Sequence, residues 1–222
     1  HLGSGYLKGP FPADENRPLS STRADWSFSR ARRLAILLPM NADEARVLMM
    51  EWTESPALRG HMEAVAACMW AYGGRLQPAG AESWFVAGLL HDFDYEKHPT
   101  EAEHPFVGVE HLRGLGVDEE ILSAILGHAE YSGTPRETAM AKALFAVDEL
   151  AGFIVACAKV RPNGISDLKP KSVKKKLKDK RFAAAVSRED ISQGIEELGV
   201  DTTEHIQFCI DAIRTEGERV GF

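Results

Sequence analysis

The feature that most constrains this chain is an apolar run, Trp84 to Leu90, which ends in a histidine and an aspartate side by side, His91 and Asp92. The run predicts a helix that is buried on all sides. An ionised carboxylate at the end of such a helix is costly unless a cation or hydrogen-bond donors compensate its charge. A divalent metal ion bound by the imidazole and the carboxylate would compensate it. The alternative is a helix end where both side chains meet water.

Length and composition favour a globular protein with one main domain. The chain has 222 residues, 44% of them hydrophobic and 27% charged, and a net charge of −7. That charge argues against polymeric nucleic acid as a partner. Three widely spaced cysteines, Cys68, Cys157 and Cys209, lie among apolar residues and predict buried thiols rather than disulfides. The sequence shows neither a bilayer-length apolar run nor a signal-peptide pattern, so we expect a cytoplasmic protein without a membrane partner.

Residues 1–39 differ from the rest of the chain, because glycines and prolines interrupt any helical period there. Met40 follows directly, and Asn41 to Glu44 is a capping-box pattern that opens a helix. Two interpretations of residues 1–39 stay open. In the first, they are a non-native extension that is vector-derived or translated from upstream sequence. In the second, they are a genuine N-terminal arm that packs on the domain. The predicted organisation is an N-terminal extension at 1–39 and one helical domain at 40–222.

From Met40 onward the hydrophobic pattern is helical almost throughout, and no alternating run predicts a β-strand of useful length. Ser55-Pro56 predicts a helix start, and Gly73-Gly74 predicts the end of that helix. Asp118 and Asp201 are further candidate N-caps. We expect an all-α protein.

Residues of metal-ligand type lie on, or next to, the apolar faces of successive predicted helices: His61, His91-Asp92, His104, His128 and Asp148. A single buried histidine usually has a partner of its own, but several on one set of interior faces would each need one. One metal centre would satisfy them together. Imidazole with carboxylate suits Mn, Fe, Co, Ni or Zn.

Four of these residues, His61, His91, Asp92 and Asp148, suffice for one ion. Adding His104 and His128, with Asp92 bridging, would hold two ions, which can clamp a phosphoryl group and activate water. The competing interpretation is that His104 caps its helix while His128 bonds a carbonyl. The residues alone leave one ion and two ions open.

On these residues the chain resembles the HD-domain superfamily of metal-dependent phosphohydrolases, most closely its bacterial predicted hydrolase group. The order histidine, histidine–aspartate, aspartate on successive helices is the family pattern. The resemblance runs from about residue 40 to about residue 201 and includes His104-Pro105, Val160-Arg161-Pro162 and the stretch from Ser172 to Lys180. It implies an HD-type bundle of about seven to nine helices. It also implies hydrolysis of a phosphate ester by metal-activated water, the substrate being a phosphomonoester or phosphodiester, nucleotides and cyclic nucleotides included.

The resemblance leaves alternatives open. Two-metal relatives carry histidines at the places of His104 and His128, so the resemblance implies two divalent ions as cofactors. Cyclic-di-GMP phosphodiesterases of the HD-GYP type add a second histidine and then Gly-Tyr-Pro. Here Ala129 stands beside the matched histidine and Ser132-Gly133-Thr134-Pro135 follows, which argues against that substrate. Di-iron oxygenases share the ligand set yet usually place a lysine shortly after the His-Asp pair. Here Asp94 and Glu96 come instead and Lys97 follows later, which argues against an oxygenase. A di-iron oxygenase and a non-catalytic module that binds metal or nucleotide stay as alternatives.

Two acids that follow the metal pair, Asp94 and Glu96, are predicted to join Asp92 in the catalytic set. Either acid could orient or deprotonate the attacking water or donate a proton to the leaving group. The alternative for each is a solvated loop acid.

The segment 169–181 is strongly basic, with eight lysines and arginines, one aspartate and a net charge of +7, against −14 for the remainder. Lysine binds phosphate as a point charge. Taken with the family resemblance, this charge makes Arg161, Lys175 and Lys178 the predicted substrate-binding residues, and a solvated basic face is the alternative. The expected partner is a small phosphorylated substrate; the oligomeric state stays open.

Overall fold

The computed structural model describes residues 39–222, so the predicted extension lies outside the described residues except for Pro39. The described residues form ten α-helices and two short 3-10 turns and include no β-strand, which confirms the all-α prediction. The helices, in chain order, are α1 (Ala42–Trp52), α2 (Pro56–Leu76), α3 (Ala81–Leu90), α4 (Phe106–Gly114), α5 (Glu119–His128), α6 (Ala139–Lys159), α7 (Pro170–Leu177), α8 (Arg188–Leu198), α9 (Thr202–Thr215) and α10 (Gly217–Val220). The count exceeds the predicted range by one, because α10 is a single four-residue turn. No helix within residues 39–222 combines the length and apolar character needed to cross a membrane.

The predicted helix starts are confirmed by their hydrogen bonds. The side-chain oxygen of Asn41 accepts the backbone N–H groups of Asp43 and Glu44, and the Glu44 carboxylate accepts the N–H of Asn41 in return. Ser55 caps α2, and Asp118 and Asp201 cap α5 and α9 in the same way. These side chains satisfy amide groups that have no partner inside the helix.

The predicted end of α2 at Gly73-Gly74 is wrong, because the helix continues to Leu76. Gly73 instead allows a close helix contact. A Cβ atom at this position would lie 2.9 Å from the Cβ of Trp84 in α3, and a Cβ at Gly88 of α3 would lie 2.9 Å from the Cα of Ala66 in α2. Both distances are too short for non-bonded carbon atoms. The two glycines therefore let the backbones of α2 and α3 approach each other, which sets the spacing of the side chains these helices carry.

The core surrounds α3 on all sides, as the apolar run predicts. Trp84 is 1% exposed, and Leu89 and Leu90 are fully buried. α6 is the second central helix and packs against α2, α5 and α8. The predicted buried, unpaired state of all three cysteines is confirmed. Because both central helices are rigidly packed, the side chains they present at one end of the core are held in place.

Candidate metal centre

All six predicted metal ligands converge at one end of the core. The ligands come from the second turn of α2, the two residues that follow α3, the loop before α4, the last residue of α5 and the middle of α6. In that order the side chains are His61, His91 with Asp92, His104, His128 and Asp148. They form two clusters of three residues, each with ligand atoms close enough to share a metal ion.

The first cluster consists of His61, His91 and Asp148. The Nε2 atom of His61 lies 3.2 Å from Nε2 of His91 and 3.0 Å from Oδ1 of Asp148. The His91 Nε2 to Asp148 Oδ1 distance is 3.3 Å. Atoms at these separations are spaced like ligands about 2.0–2.1 Å from one tetrahedral ion. The cluster therefore has the geometry of a metal site.

The second cluster consists of His104, His128 and Asp92. The Nε2 atoms of the two histidines lie 3.3 Å apart, and Oδ1 of Asp92 lies 3.3 Å from the first and 3.4 Å from the second. The spacing is again that of ligands around one ion. Three side chains from three different segments thus present donor atoms to a common point.

Asp92 joins the two clusters, because its two carboxylate oxygens face different ways. Oδ1 belongs to the second cluster, whereas Oδ2 lies 3.4 Å from Nε2 of His91 and 3.7 Å from Nε2 of His61 in the first. A carboxylate in this position can bridge two ions.

Backbone carbonyls hold two of the imidazoles in the orientation that metal binding requires. Nδ1 of His91 donates to the carbonyl of Gly88 at 2.8 Å, and Nδ1 of His128 donates to the carbonyl of Ile125. A carbonyl can only accept, so Nδ1 carries a proton and Nε2, which faces the cluster, is the nitrogen left to bind metal. Such partners orient metal-binding histidines.

Asp94 holds His104 in the same manner. Its Oδ1 accepts from Nδ1 of His104 at 2.7 Å, its Oδ2 accepts the backbone N–H of Gly108 at 2.7 Å, and the residue is 1% exposed. The predicted role of Asp94 as a proton carrier does not match this position, since both oxygens are engaged and turned away from solvent. Asp94 is placed as a positioning residue behind His104.

Replacing Asp94 by asparagine tests that role. The amide nitrogen would face one of the two N–H donors, so one hydrogen bond is lost and His104 is less well oriented. We expect metal affinity at the second cluster to fall about 10–100-fold, measured by metal titration, with helical content unchanged by circular dichroism. Unchanged affinity would contradict a positioning role.

Glu96, the third predicted catalytic residue, belongs to neither cluster. One of its carboxylate oxygens accepts the backbone N–H groups of Glu54 and Ser55, both at 2.9 Å, at the start of α2. An acid here satisfies amides at a helix N-terminus and interacts favourably with the helix dipole. Its position fits a structural contact between the loop and α2 rather than proton transfer.

The substitution Glu96→Gln tests whether Glu96 has this structural role. We expect turnover to stay within about twofold of wild type, while the free energy of unfolding falls by about 1 kcal/mol because the charge-assisted hydrogen bonds weaken. Steady-state kinetics and urea unfolding measure the two effects. A large fall in kcat with no change in stability would return Glu96 to the catalytic set.

Opposite charges dominate the electrostatics of the clusters. Burial alone would lower the pKa of His91, but the carboxylates of Asp92 and Asp148 raise that pKa well above its ordinary value. The carboxylates of Asp92 and Asp94 likewise overcome burial and raise the pKa of His104 to about 9. Burial alone would raise the pKa values of Asp92 and Asp148. The neighbouring imidazoles, of which His91 has the largest effect, instead hold both pKa values below the ordinary range. In the metal-free protein the carboxylates therefore favour the protonated form of His91 and His104.

Metal binding must displace those protons, because an imidazole binds metal only when neutral. Because the pKa of His104 is raised to about 9, protons compete with the metal ion for its imidazole up to about pH 9. We expect metal affinity to rise with pH by about tenfold per unit for each displaced proton, measured by titration calorimetry between pH 6.5 and 9 in buffers of different ionisation enthalpy. Affinity that does not change over this range would contradict the ion-paired state of the metal-free clusters.

Sequence reasoning missed two tyrosines beside the second cluster. The ring of Tyr95 stands edge-on to His104, with centroids 5.2 Å apart, and Tyr95 and Tyr131 are both exposed. Partial burial, and then the carboxylates of Asp92, Glu101 and Asp94, raise the pKa of Tyr131 to about 12. Its phenol therefore stays protonated and can donate a hydrogen bond. The one signal for Tyr95 was its position between two predicted catalytic acids.

Glu149 is a further missed residue, next to the ligand Asp148. Burial, and then the charge of Asp148, raise the pKa of Glu149 to about 7. Its carboxylate accepts the backbone N–H of Ser187, the N-cap of α8, at 3.0 Å. Glu149 thus ties the start of α8 to the helix that carries Asp148.

The predicted substrate-binding residues do not join the clusters. Arg161 donates from Nε and Nη2 to Oδ1 of Asp167, at 3.0 and 2.8 Å. Arg161 and Lys175 line a cavity to which none of the six predicted ligands contributes. Lys178 follows the end of α7 and is exposed. The structure therefore separates these cations from the clusters, and the prediction that they neutralise a phosphate held there has no geometric support.

Comparison with known proteins gives one match. Residues 58–152 match the family model of the HD domain. The matched range contains all six residues of the two clusters and ends before the basic segment. Searches of the curated proteins and of the solved structures returned no match.

Proposed function

We propose, from the premise that residues 58–152 are an HD domain, that the protein is a metal-dependent phosphohydrolase that cleaves a phosphate ester. One observation carries the proposal: two clusters of three ligands are joined by the single carboxylate of Asp92. Two ions held together in this way suit in-line displacement at phosphorus. The proposed substrates are phosphomonoesters or phosphodiesters, nucleotides and cyclic nucleotides among them.

The donor set fits divalent transition metals. Four imidazoles and two carboxylates match the preferences of Mn, Fe, Co, Ni and Zn. His61, His91 and Asp148 would hold one ion, His104 and His128 the other, and Asp92 both. When bound, such ions polarise a phosphoryl oxygen and lower the pKa of a water molecule.

The remaining groups orient the ligands and contact the substrate. The carbonyls of Gly88 and Ile125 and the carboxylate of Asp94 keep three imidazoles in one tautomer. We propose that the phenols of Tyr95 and Tyr131 donate hydrogen bonds to a phosphoryl oxygen of the substrate, because both are exposed beside the second cluster. Donors placed in advance around developing charge stabilise the transition state.

The position of Lys97 favours hydrolysis over an oxygenase reaction. Its ammonium donates to the carbonyl of Glu51 at 3.2 Å and lies 4.8 Å from the ring centre of Trp52. The first lysine after the His-Asp pair is thus held on α1 rather than at the clusters. Lys97 is therefore engaged away from the clusters, which supports hydrolysis over the oxygenase alternative.

A phosphoester screen tests the function. The metal-free protein is supplied with Mn, Co, Ni, Zn or Fe and assayed on p-nitrophenyl phosphate, bis-p-nitrophenyl phosphate, nucleotides and cyclic nucleotides, with an oxygen electrode in parallel. We expect metal-dependent release of phosphate or alcohol without oxygen consumption. Oxygen uptake with an oxidised product would support the oxygenase, and metal binding without turnover of any substrate would support a non-catalytic module.

A further inference from the structure

The cavity that Arg161 and Lys175 line has a volume of about 600 Å³ and lies at the C-terminal end of α6, against α7. Its cationic side chains are Arg161, Lys175 and Lys176, and its apolar wall includes Cys157 and Leu168. A cavity of this volume is within the range of small-molecule sites. It therefore has room for an organic ligand that carries charge at one end.

The cavity is separate from the metal clusters. Cys157 follows Asp148 by nine residues on α6, which corresponds to roughly 13.5 Å along the axis and two and a half turns. The two side chains consequently point to opposite faces of the helix. A phosphoryl group held at the clusters cannot reach the cations of this cavity directly.

The charges around the cavity favour an anion. Three cations face one carboxylate of the lining, Asp179, and Arg161 is also paired with Asp167. Two of the three cations are held in place: Asp167 orients the guanidinium of Arg161, and the ammonium of Lys176 lies 4.3 Å from the ring centre of Phe182. A local excess of positive charge in a chain of net charge −7 concentrates anionic ligands.

We propose that this cavity binds a small phosphorylated organic molecule, with Arg161, Lys175 and Lys176 on the phosphate and the apolar wall on its carbon skeleton. Binding here is independent of the proposed hydrolysis and occurs at a distinct site. The competing explanation for the cations is that they only stabilise the negative end of the α6 dipole, which requires no ligand.

The test uses the full chain with Asp92→Ala in the presence of a chelator, so that phosphate does not bind through metals at the clusters. ADP and pyrophosphate are the probes, titrated by calorimetry at physiological ionic strength. Lys175→Glu is added to this background, and Lys180→Glu, an exposed lysine of the same segment outside the cavity, is the matched control. Lys175→Gln provides a second variant in case the charge reversal lowers the melting temperature.

We expect the Asp92→Ala protein to bind ADP more tightly than pyrophosphate, because only ADP reaches the apolar wall. Lys175→Glu should weaken ADP binding by about tenfold, Lys175→Gln by less, and Lys180→Glu by under about twofold. Failure of the Asp92→Ala protein to bind either probe at millimolar concentration would overturn the proposal. Equal weakening by Lys175→Glu and Lys180→Glu would also overturn it, since binding would then reflect diffuse charge.

Discussion

Replacing Asp92 by alanine is expected to abolish hydrolysis and most metal binding while the helices remain. Oδ2 of Asp92 faces the first cluster and Oδ1 the second, so one substitution removes a ligand from both. Metal ions contribute several kcal/mol of transition-state stabilisation, and a loss of about 4 kcal/mol corresponds to roughly 10³-fold in rate. We expect kcat to fall by at least that factor, measured with the best substrate of the phosphoester screen.

Asp43→Ala is the matched control, because this aspartate lies in the first turn of α1 with a 99% exposed side chain. Metal content by plasma emission spectroscopy and helical content by circular dichroism accompany the kinetics. An Asp92→Ala protein that keeps its metal and its turnover would refute the assignment of the clusters as a metal centre.

Replacing His104 and His128 together by alanine is expected to remove one ion and leave the other. His61, His91, Asp92 and Asp148 still provide four ligands, which suffice for a single ion. Turnover should fall by about 10²-fold or more, because the single remaining ion cannot stabilise both the attacking and the leaving oxygen. Metal titration and steady-state kinetics on the same preparation measure the two effects.

His98→Ala is the control for this pair, since His98 is only partly buried and pairs with Glu103 outside the clusters. It should leave both metal content and turnover close to wild type. A double variant that retains the wild-type metal content would mean that His104 and His128 are not ligands.

The fold and the grouping of the ligands were predictable because both depend on patterns local to each helix. The apolar run before His91 predicts a central helix, and α3 is buried on every side. Ligand-type residues on interior helix faces predict a common site, and the six residues do lie together. Interior position alone is not sufficient, however. His205 is equally buried but bonds the hydroxyl of Tyr72 at 2.6 Å and the carbonyl of Ala146 at 3.1 Å.

The roles of individual side chains around the site depend on tertiary contacts that no local sequence pattern reveals. Asp94 and Glu96 are two residues apart in one loop, yet one carboxylate turns inward to His104 and the other outward to the start of α2. Gly73 has the appearance of a helix stop in sequence and is instead a helix contact, because its neighbour in space is Trp84. The direction in which Lys175 faces depends on how α7 packs on α6, which the composition of the basic segment does not specify.

The metal-to-protein ratio of the wild-type protein at saturation tests the central claim most directly. The metal-free protein would be titrated with Mn, Co and Zn in turn, and bound metal and protein would be quantified in the same sample. Two clusters joined by Asp92 predict two ions per chain. A ratio that saturates at one ion per chain would contradict the two-metal account.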